Sequence, residues 1–375
     1  MFSVHDLLEI AIKKRASDVI IKSGAPPALR VDGKMQSTEM SALPAKAAHD
    51  LAYEILFSAS RDKMLHNSCF ENEDDVDDAD TLMKELHQKQ ELDTVFTIPN
   101  MARVRANLFL QRGTVGAVLR LIPLHPFTID ELGLPPVLKK MALEPQGLII
   151  ITGPTGSGKT TTLAAIIEEI NRQKHANVFT IEDPIEYVFQ DKKSVVHQRE
   201  IGQDTKSFKS ALHSVTRQSP DVIAIGELRD RETMDVAMTA AEIGHLVITT
   251  LHTTSAAATV DRIVNSFPDH LKRQVCQQLA ASLICVTSQR LIHRAAGHGR
   301  LPAVEVMTMS PLIRKHLEDG DTTELYSCIR DGGHFHMNTM NQALEKLHQA
   351  KSISYEEAMQ FAGNPAELKQ LLRRQ

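Results

Sequence analysis

The feature that most constrains this chain is Gly153-Pro-Thr-Gly-Ser-Gly158-Lys159-Thr160, a full match to G-x-x-x-x-G-K-[ST]. Its surroundings narrow the reading further. Leu148-Ile-Ile-Ile151 reads as an apolar strand leading in, and Thr161 to Asn171 as a helix leading out. Phosphate binding requires that strand–loop–helix order. Glycines let backbone N–H groups turn inward, and the helix N-terminus adds the positive end of its dipole. The candidate nucleotide-binding set is therefore Gly153, Pro154, Thr155, Gly156, Ser157, Gly158, Lys159, Thr160 and Thr161. In such a loop the lysine reaches the β- and γ-phosphates of ATP, and the Thr160 hydroxyl binds Mg²⁺. The competing reading is a glycine-rich turn, which the flanking strand and helix oppose.

Three further blocks follow in the same half of the chain. Thr180-Ile-Glu182-Asp183-Pro184-Ile-Glu186 closes an apolar run from Val178 to Ile181. Acids at a strand end beside a phosphate loop suit the attacking water or a metal shell, though a charged turn would look the same. Asp221-Val-Ile-Ala-Ile-Gly226-Glu227 is an apolar strand ending in an acid, with Glu227 where Asp is usual; an ordinary surface glutamate is the alternative. Gly244-His245 through His252-Thr253 brackets a short apolar strand with two histidines. Either histidine can sense a γ-phosphate or simply cap the strand, and the chemistry leaves both readings open.

The first third of the chain has a different pattern. Residues 4–14 read as an amphipathic helix, 17–22 and 28–31 as strands, and 44–57 as helical. Residues 102–110 and 115–122 read as a hairpin about an Arg112-Gly113 turn. A run of acids from Glu71 to Asp80 has neither the glycine nor the spacing of a calcium loop, so the segment at about 69–93 reads as a solvated, mobile insert. Pro123-Leu-His-Pro126 continues neither strand nor helix. The expected organisation is an α+β domain over 1–122, a linker over 123–130 and an α/β domain over 131–375, with residues from about 300 onward mostly helical.

Composition excludes several classes. At 375 residues the chain is long enough for two domains, and 42% hydrophobic with 24% charged residues is ordinary for a soluble protein. A net charge of -5 argues against a general nucleic-acid binder. Cys69, Cys276, Cys285 and Cys328 form no C-x-x-C pair, which leaves no zinc knuckle or redox motif. The first residues lack a basic secretory start, and apolar runs such as 147–152 are too short to span a bilayer.

Taken in order, blocks 153–160, 182–186, 225–230 and 244–252 resemble the Walker A, Asp box, Walker B and His box of the type II/type IV secretion ATPase superfamily. Ala16-Ser-Asp18, Gly24-Ala-Pro-Pro27, Arg30-Val-Asp-Gly33, Ala102-Arg-Val-Arg105 and Leu119-Arg120-Leu-Ile-Pro123 extend the likeness to the PilT/PilU family of type IV pilus retraction ATPases. The resemblance implies a PAS-like N-terminal domain beside a RecA-like ATPase domain. It also implies a homohexameric motor that hydrolyses ATP with Mg²⁺ at the cytoplasmic face of the inner membrane. Such a motor acts on a membrane platform protein and drives pilus retraction, hence twitching motility or DNA uptake. Glu186 becomes the catalytic glutamate, Glu227 serves the Mg²⁺ shell, His245 and His252 relay nucleotide state, and Arg105 and Arg120 point at a neighbouring γ-phosphate. Without the resemblance, those two are exposed strand arginines. The cysteine motif and long N-terminus of extension ATPases are missing. Leu312-Ile-Arg-Lys-His316 departs from the PilT retraction motif, and Arg229-Asp-Arg-Glu-Thr-Met234 is closer to PilU. An accessory ATPase working with a PilT paralogue, or an extension motor, are the alternatives.

Overall fold

The computed structural model describes residues 3–66 and 78–373, and the chain divides into two compact units, Met1–His125 and Pro126–Gln375. The first contains α1 (Val4–Lys13), β1 (Ala16–Ile21), β2 (Ala28–Val31), β3 (Lys34–Ser37), α2 (Ala45–His66), α3 (Ala79–Lys89), β4 (Glu91–Ile98), β5 (Ala102–Gln111) and β6 (Thr114–Ile122). Its strands form one sheet in the order β3-β2-β1-β6-β5-β4, antiparallel at every pairing. Alternation decides the faces. Val19, Ile21, Leu29, Val104, Ala106, Leu108 and Leu119 join helix residues Leu7, Leu8, Leu51, Ile55, Leu82 and Leu86 in one core. This is the PAS-like α+β unit. α1 starts where Ser3 and Asp6 exchange hydrogen bonds in a capping box.

Two sequence expectations change here. The part of the acidic segment over Glu71–Asp77 lies outside the described residues. The rest of 69–93 is not a solvated insert: Ala79–Lys89 is a helix with Asp78 as its N-cap and Ala79, Leu82, Met83 and Leu86 buried, and β4 begins at Glu91. Asp78 and Asp80, the described acids of that run, are exposed at the start of a helix that contributes to the core. The helix expected over 44–57 also runs further, to His66.

The second unit holds α4 (Val137–Ala142), β7 (Gly147–Thr152), α5 (Lys159–Gln173), β8 (Asn177–Glu182), β9 (Val195–Glu200), α6 (Phe208–Val215), β10 (Val222–Ile225), α7 (Arg231–Glu242), β11 (Leu246–Leu251), α8 (Ala256–Asn265), α9 (Asp269–Ser282), β12 (Leu283–His293) and β13 (Arg300–Thr308). It closes with α10 (Pro311–Asp319), α11 (Leu325–Asp331), α12 (Met340–Gln349), α13 (Tyr355–Gln360) and α14 (Pro365–Arg373). The sheet order is β13-β12-β7-β11-β10-β8-β9, parallel except for β13. β7, β10 and β11 are buried at every position, which explains their unbroken apolar sequences. This is a RecA-like sheet, with its P-loop strand between neighbours distant in sequence. The tail expected to be mostly helical from about 300 opens instead with the nine residues of β13. A small separate core of Ile292, Leu344, Ile353, Ala358 and Leu368 then joins the last helices to β12 and β13.

Candidate active site

In an open parallel sheet the loops at the carboxyl ends of the strands carry the ligand site. Here β7 ends in the loop 153–158 and α5 begins at Lys159. Gly153 has φ 145°, and a Cβ there would lie 2.4 Å from the Gln289 carbonyl oxygen and 2.6 Å from Ser157 Oγ. No side chain fits, so the loop's tightness itself demands glycine. Lys159 is buried, and its Nζ donates to the carbonyls of Gly153 (3.0 Å) and Pro154 (3.2 Å). Burial lowers its pKa, while the Glu227 carboxylate works in the opposite direction. Ser157 Oγ is buried without a hydrogen-bond partner, a polar atom left unpaired inside the cradle.

The other blocks converge on this loop. His252, just past β11, places Nδ1 3.4 Å from Lys159 Nζ and Nε2 3.3 Å from Glu227 Oε1. Lysine can only donate, so the imidazole tautomer with its proton on Nε2 satisfies both contacts. Glu227 also meets Arg229 Nε at 3.2 Å, and Arg229 reaches Asp183 Oδ2 at 3.7 Å. Glu186 is half-buried in the bend after β8. At the end of β8, buried Glu182 accepts the Thr180 hydroxyl at 2.6 Å and Gln198 Nε2 at 3.1 Å. Burial pushes its pKa up to about 7, with Glu186's charge adding to the rise. Gln198 also donates to the Tyr187 carbonyl (2.8 Å), and the Tyr187 hydroxyl donates to Thr161 Oγ1 (3.3 Å). The acidic turn is thus linked to the first turn of α5.

His245 lies elsewhere. β11 runs parallel to β7 with Leu246 opposite Gly147 and Leu251 opposite Thr152, so His245 stands at the end of the strand away from the loop. Its Nδ1 is 2.8 Å from the Pro220 carbonyl oxygen. In the first unit, Arg105 and Arg120 are direct partners across β5 and β6. Arg120 Nε is 3.1 Å from Asp18 Oδ1, and Arg105 lies 4.0 Å from Asp93.

One residue that holds the loop escaped sequence reasoning. Gln289 on β12 is buried, accepts the Thr162 hydroxyl at 2.9 Å and donates to the Ser157 carbonyl at 2.7 Å. It lies 127 positions from Thr162, and only the parallel pairing of β12 with β7 brings it there. A polar run Thr287-Ser-Gln289 within a buried strand is the one signal that could have flagged it.

Thr160's hydroxyl and Glu227's carboxylate are hard oxygen donors, the type that Mg²⁺ accepts alongside nucleotide phosphates. Among the described residues no cluster of three or more His, Cys, Asp or Glu could hold a metal alone.

The parallel sheet, the loop that only glycine fits and the lysine within it define a P-loop ATPase. A model of the type II/IV secretion system protein family matches residues 76–360, and the chain belongs to that family. A Pseudomonas aeruginosa protein described as the type IV pilus retractation ATPase PilT is 41% identical over 362 residues, covering 96% of this chain and 98% of its own. The type IV pilus ATPase PilU of the same organism is 34% identical over 367 residues, 98% of this chain and 90% of its own. A crystal structure of the pilus retraction motor PilT with bound ADP superposes with a TM-score of 0.81 at 38% identity, covering 99% and 100% of the two chains. Among the described residues no helix is long and apolar enough to cross a membrane.

Proposed function

We propose that this ATPase is the subunit of a homohexameric motor that drives type IV pilus retraction, and with it twitching motility or DNA uptake. The observation that carries the reading is likeness over essentially the whole length to a pilus retraction ATPase, at 41% against 34% for PilU. The site geometry supports the chemistry. Lys159 and the loop amides hold the phosphates. Thr160 and Glu227 hold Mg²⁺, which when bound neutralises charge on the phosphate oxygens. Glu186 orients the attacking water and takes its proton. His252, touching both Lys159 and Glu227, reports whether the phosphate end is filled. His245 keeps the Pro220 turn in place at the other end of β11. Arg105 and Arg120 supply positive charge to the nucleotide of a neighbouring subunit. The chain is organised as two domains, 1–122 and 131–375, joined by the linker 123–130.

On this reading the ring works at the cytoplasmic face of the inner membrane against a membrane-embedded platform protein. Deleting the gene should leave cells piliated but slow or unable to twitch. Cells that lost every surface pilus would show an extension motor instead. The altered segment Leu312–His316 supports a second reading, an accessory ATPase that retracts only beside a PilT paralogue. Retraction force measured with and without that paralogue separates the two.

A further inference from the structure

The open face of the first unit's sheet carries a row of charge in which Arg105 and Arg120 are only two of the members. Arg30 on β2, Asp18 on β1, Arg120 on β6 and Arg105 on β5 are successive cross-strand partners: Asp18 pairs with Arg30 and with Arg120, and Arg120 pairs with Arg105. Cross-strand partners share a face, so the four side chains form one row. Their neighbours in sequence, Val19, Leu29, Leu119 and Val104, point the other way into the core. Two arginines directly opposite one another repel, and a sheet selected only for stability avoids the pair.

Asp18 is the feature that organises the row. It is 4% exposed, and each carboxylate oxygen takes a different guanidinium: Oδ1 lies 3.1 Å from Arg120 Nε, and Oδ2 lies 3.2 Å from Arg30 Nε. The Ser17 hydroxyl adds a third contact, 2.8 Å to Oδ2. It reaches there because β1 carries an extra residue between Ala16 and Asp18, a bulge in its pairing with β2. A charge-assisted bond at Nε leaves the outer edge of the Arg120 guanidinium free to meet an anion, and fixes where that edge points.

We infer that Asp18 is a positioning residue for ATP hydrolysis, holding Arg120, with Arg30 beside it, in the orientation that presents a cation to phosphate. The inference rests on the proposed role of Arg120 towards a neighbour's nucleotide. Asp18 touches no substrate and acts only through the arginines. Displacing a catalytic group by about 1 Å can cost on the order of 10²-fold in rate.

The test is a set of variants of the full-length protein: Asp18→Asn, Arg120→Ala and the double variant, with kcat, KM for ATP, thermal midpoint and ring assembly measured for each. Asp18→Asn should lower kcat by about 10²-fold with KM little changed. The double variant should be no slower than Arg120→Ala alone, because both changes remove the same thing. Mixing Asp18→Asn chains with Lys159→Ala chains should restore activity, since one brings an intact loop and the other an intact row. Asp18→Asn at full rate while Arg120→Ala is inactive overturns the inference and leaves the role of Arg120 standing. So do multiplicative losses in the double variant, or mixed rings that stay inactive. Arg120→Ala at full rate defeats the underlying reading instead.

Discussion

The two sheets of this chain handle charge in opposite ways. In the second unit the central strands β7, β10 and β11 are buried throughout, and the candidate phosphate site sits at their carboxyl ends, where a glycine loop leads into a helix N-terminus. In the first unit the ends are plain turns, and the polar groups lie in the middle of strands, spread across an open face by side chains from β1, β2, β5 and β6. A backbone-built site depends on a short contiguous stretch. A face-built site depends on register, because a slip of one residue sends every side chain to the other side. The first should be lost by local changes in shape, the second by changes in which partner faces which.

The largest expected effect separates these two halves directly. Arg120→Ala should lower kcat by about 10³–10⁵-fold while ATP still binds, whereas Lys159→Ala should abolish binding. Mixed rings of the two should regain activity, measured by phosphate release. Absence of rescue would mean that each subunit completes its own site. Next, Glu186→Gln should keep ATP binding and reduce turnover by about 10²–10⁴-fold. A normal rate in single-turnover assays would move the base role to Glu182 or Glu227.

A core change should then test whether the first unit's helices matter only to that unit. Leu86→Ala removes a fully buried side chain from α3 and should cost about 2–5 kcal/mol in denaturant unfolding, with nucleotide affinity unchanged. A surface-like loss below about 0.5 kcal/mol would contradict the burial of α3. The smallest effect concerns Glu182. Its carboxyl is raised from the ordinary 4.5 to about 7, chiefly by burial. The folded state therefore holds a proton that the unfolded chain has released. The stability this gives is fully present below about 4.5 and is lost as pH rises through about 7. Glu182→Gln removes the titration, so the variant should gain on the parent by up to about 3 kcal/mol between pH 5 and pH 8. Melting curves at the two pH values check this, and a constant difference would show that Glu182 titrates like an exposed acid.

The same contrast explains what could be read from the sequence. The loop 153–160 was legible because its contacts are local: Lys159 bonds carbonyls five and six residues away. The hairpin of β5 and β6 was legible from its alternation and its turn. Gln289 was not, since its partnership with Ser157 and Thr162 exists only after β12 lies beside β7. Arg105 and Arg120 were recognisable by resemblance, but the carboxylate that anchors Arg120 sits 102 positions away. α3 was obscured by composition: Leu82, Met83 and Leu86 have helical spacing, but the acids before them read as solvated chain. His245 and His252 look alike in sequence, and only the direction of β11 separates the one near Lys159 from the one at the opposite end of the strand.

The bulge at Ser17 has a consequence for how this unit tolerates insertions and deletions. Ala16 faces Val31 and Asp18 faces Arg30, so β1 spends two steps where β2 spends one. Excising Ser17 would restore a regular alternation without moving Ala16 from the core or Asp18 from the open face. The residue is therefore superfluous to the weave of the sheet. Its presence adds a local twist and a hydroxyl that reaches the Asp18 carboxylate and the Arg30 carbonyl. A single-codon deletion, ordinarily a damaging lesion in a strand, is here milder for the architecture than many substitutions.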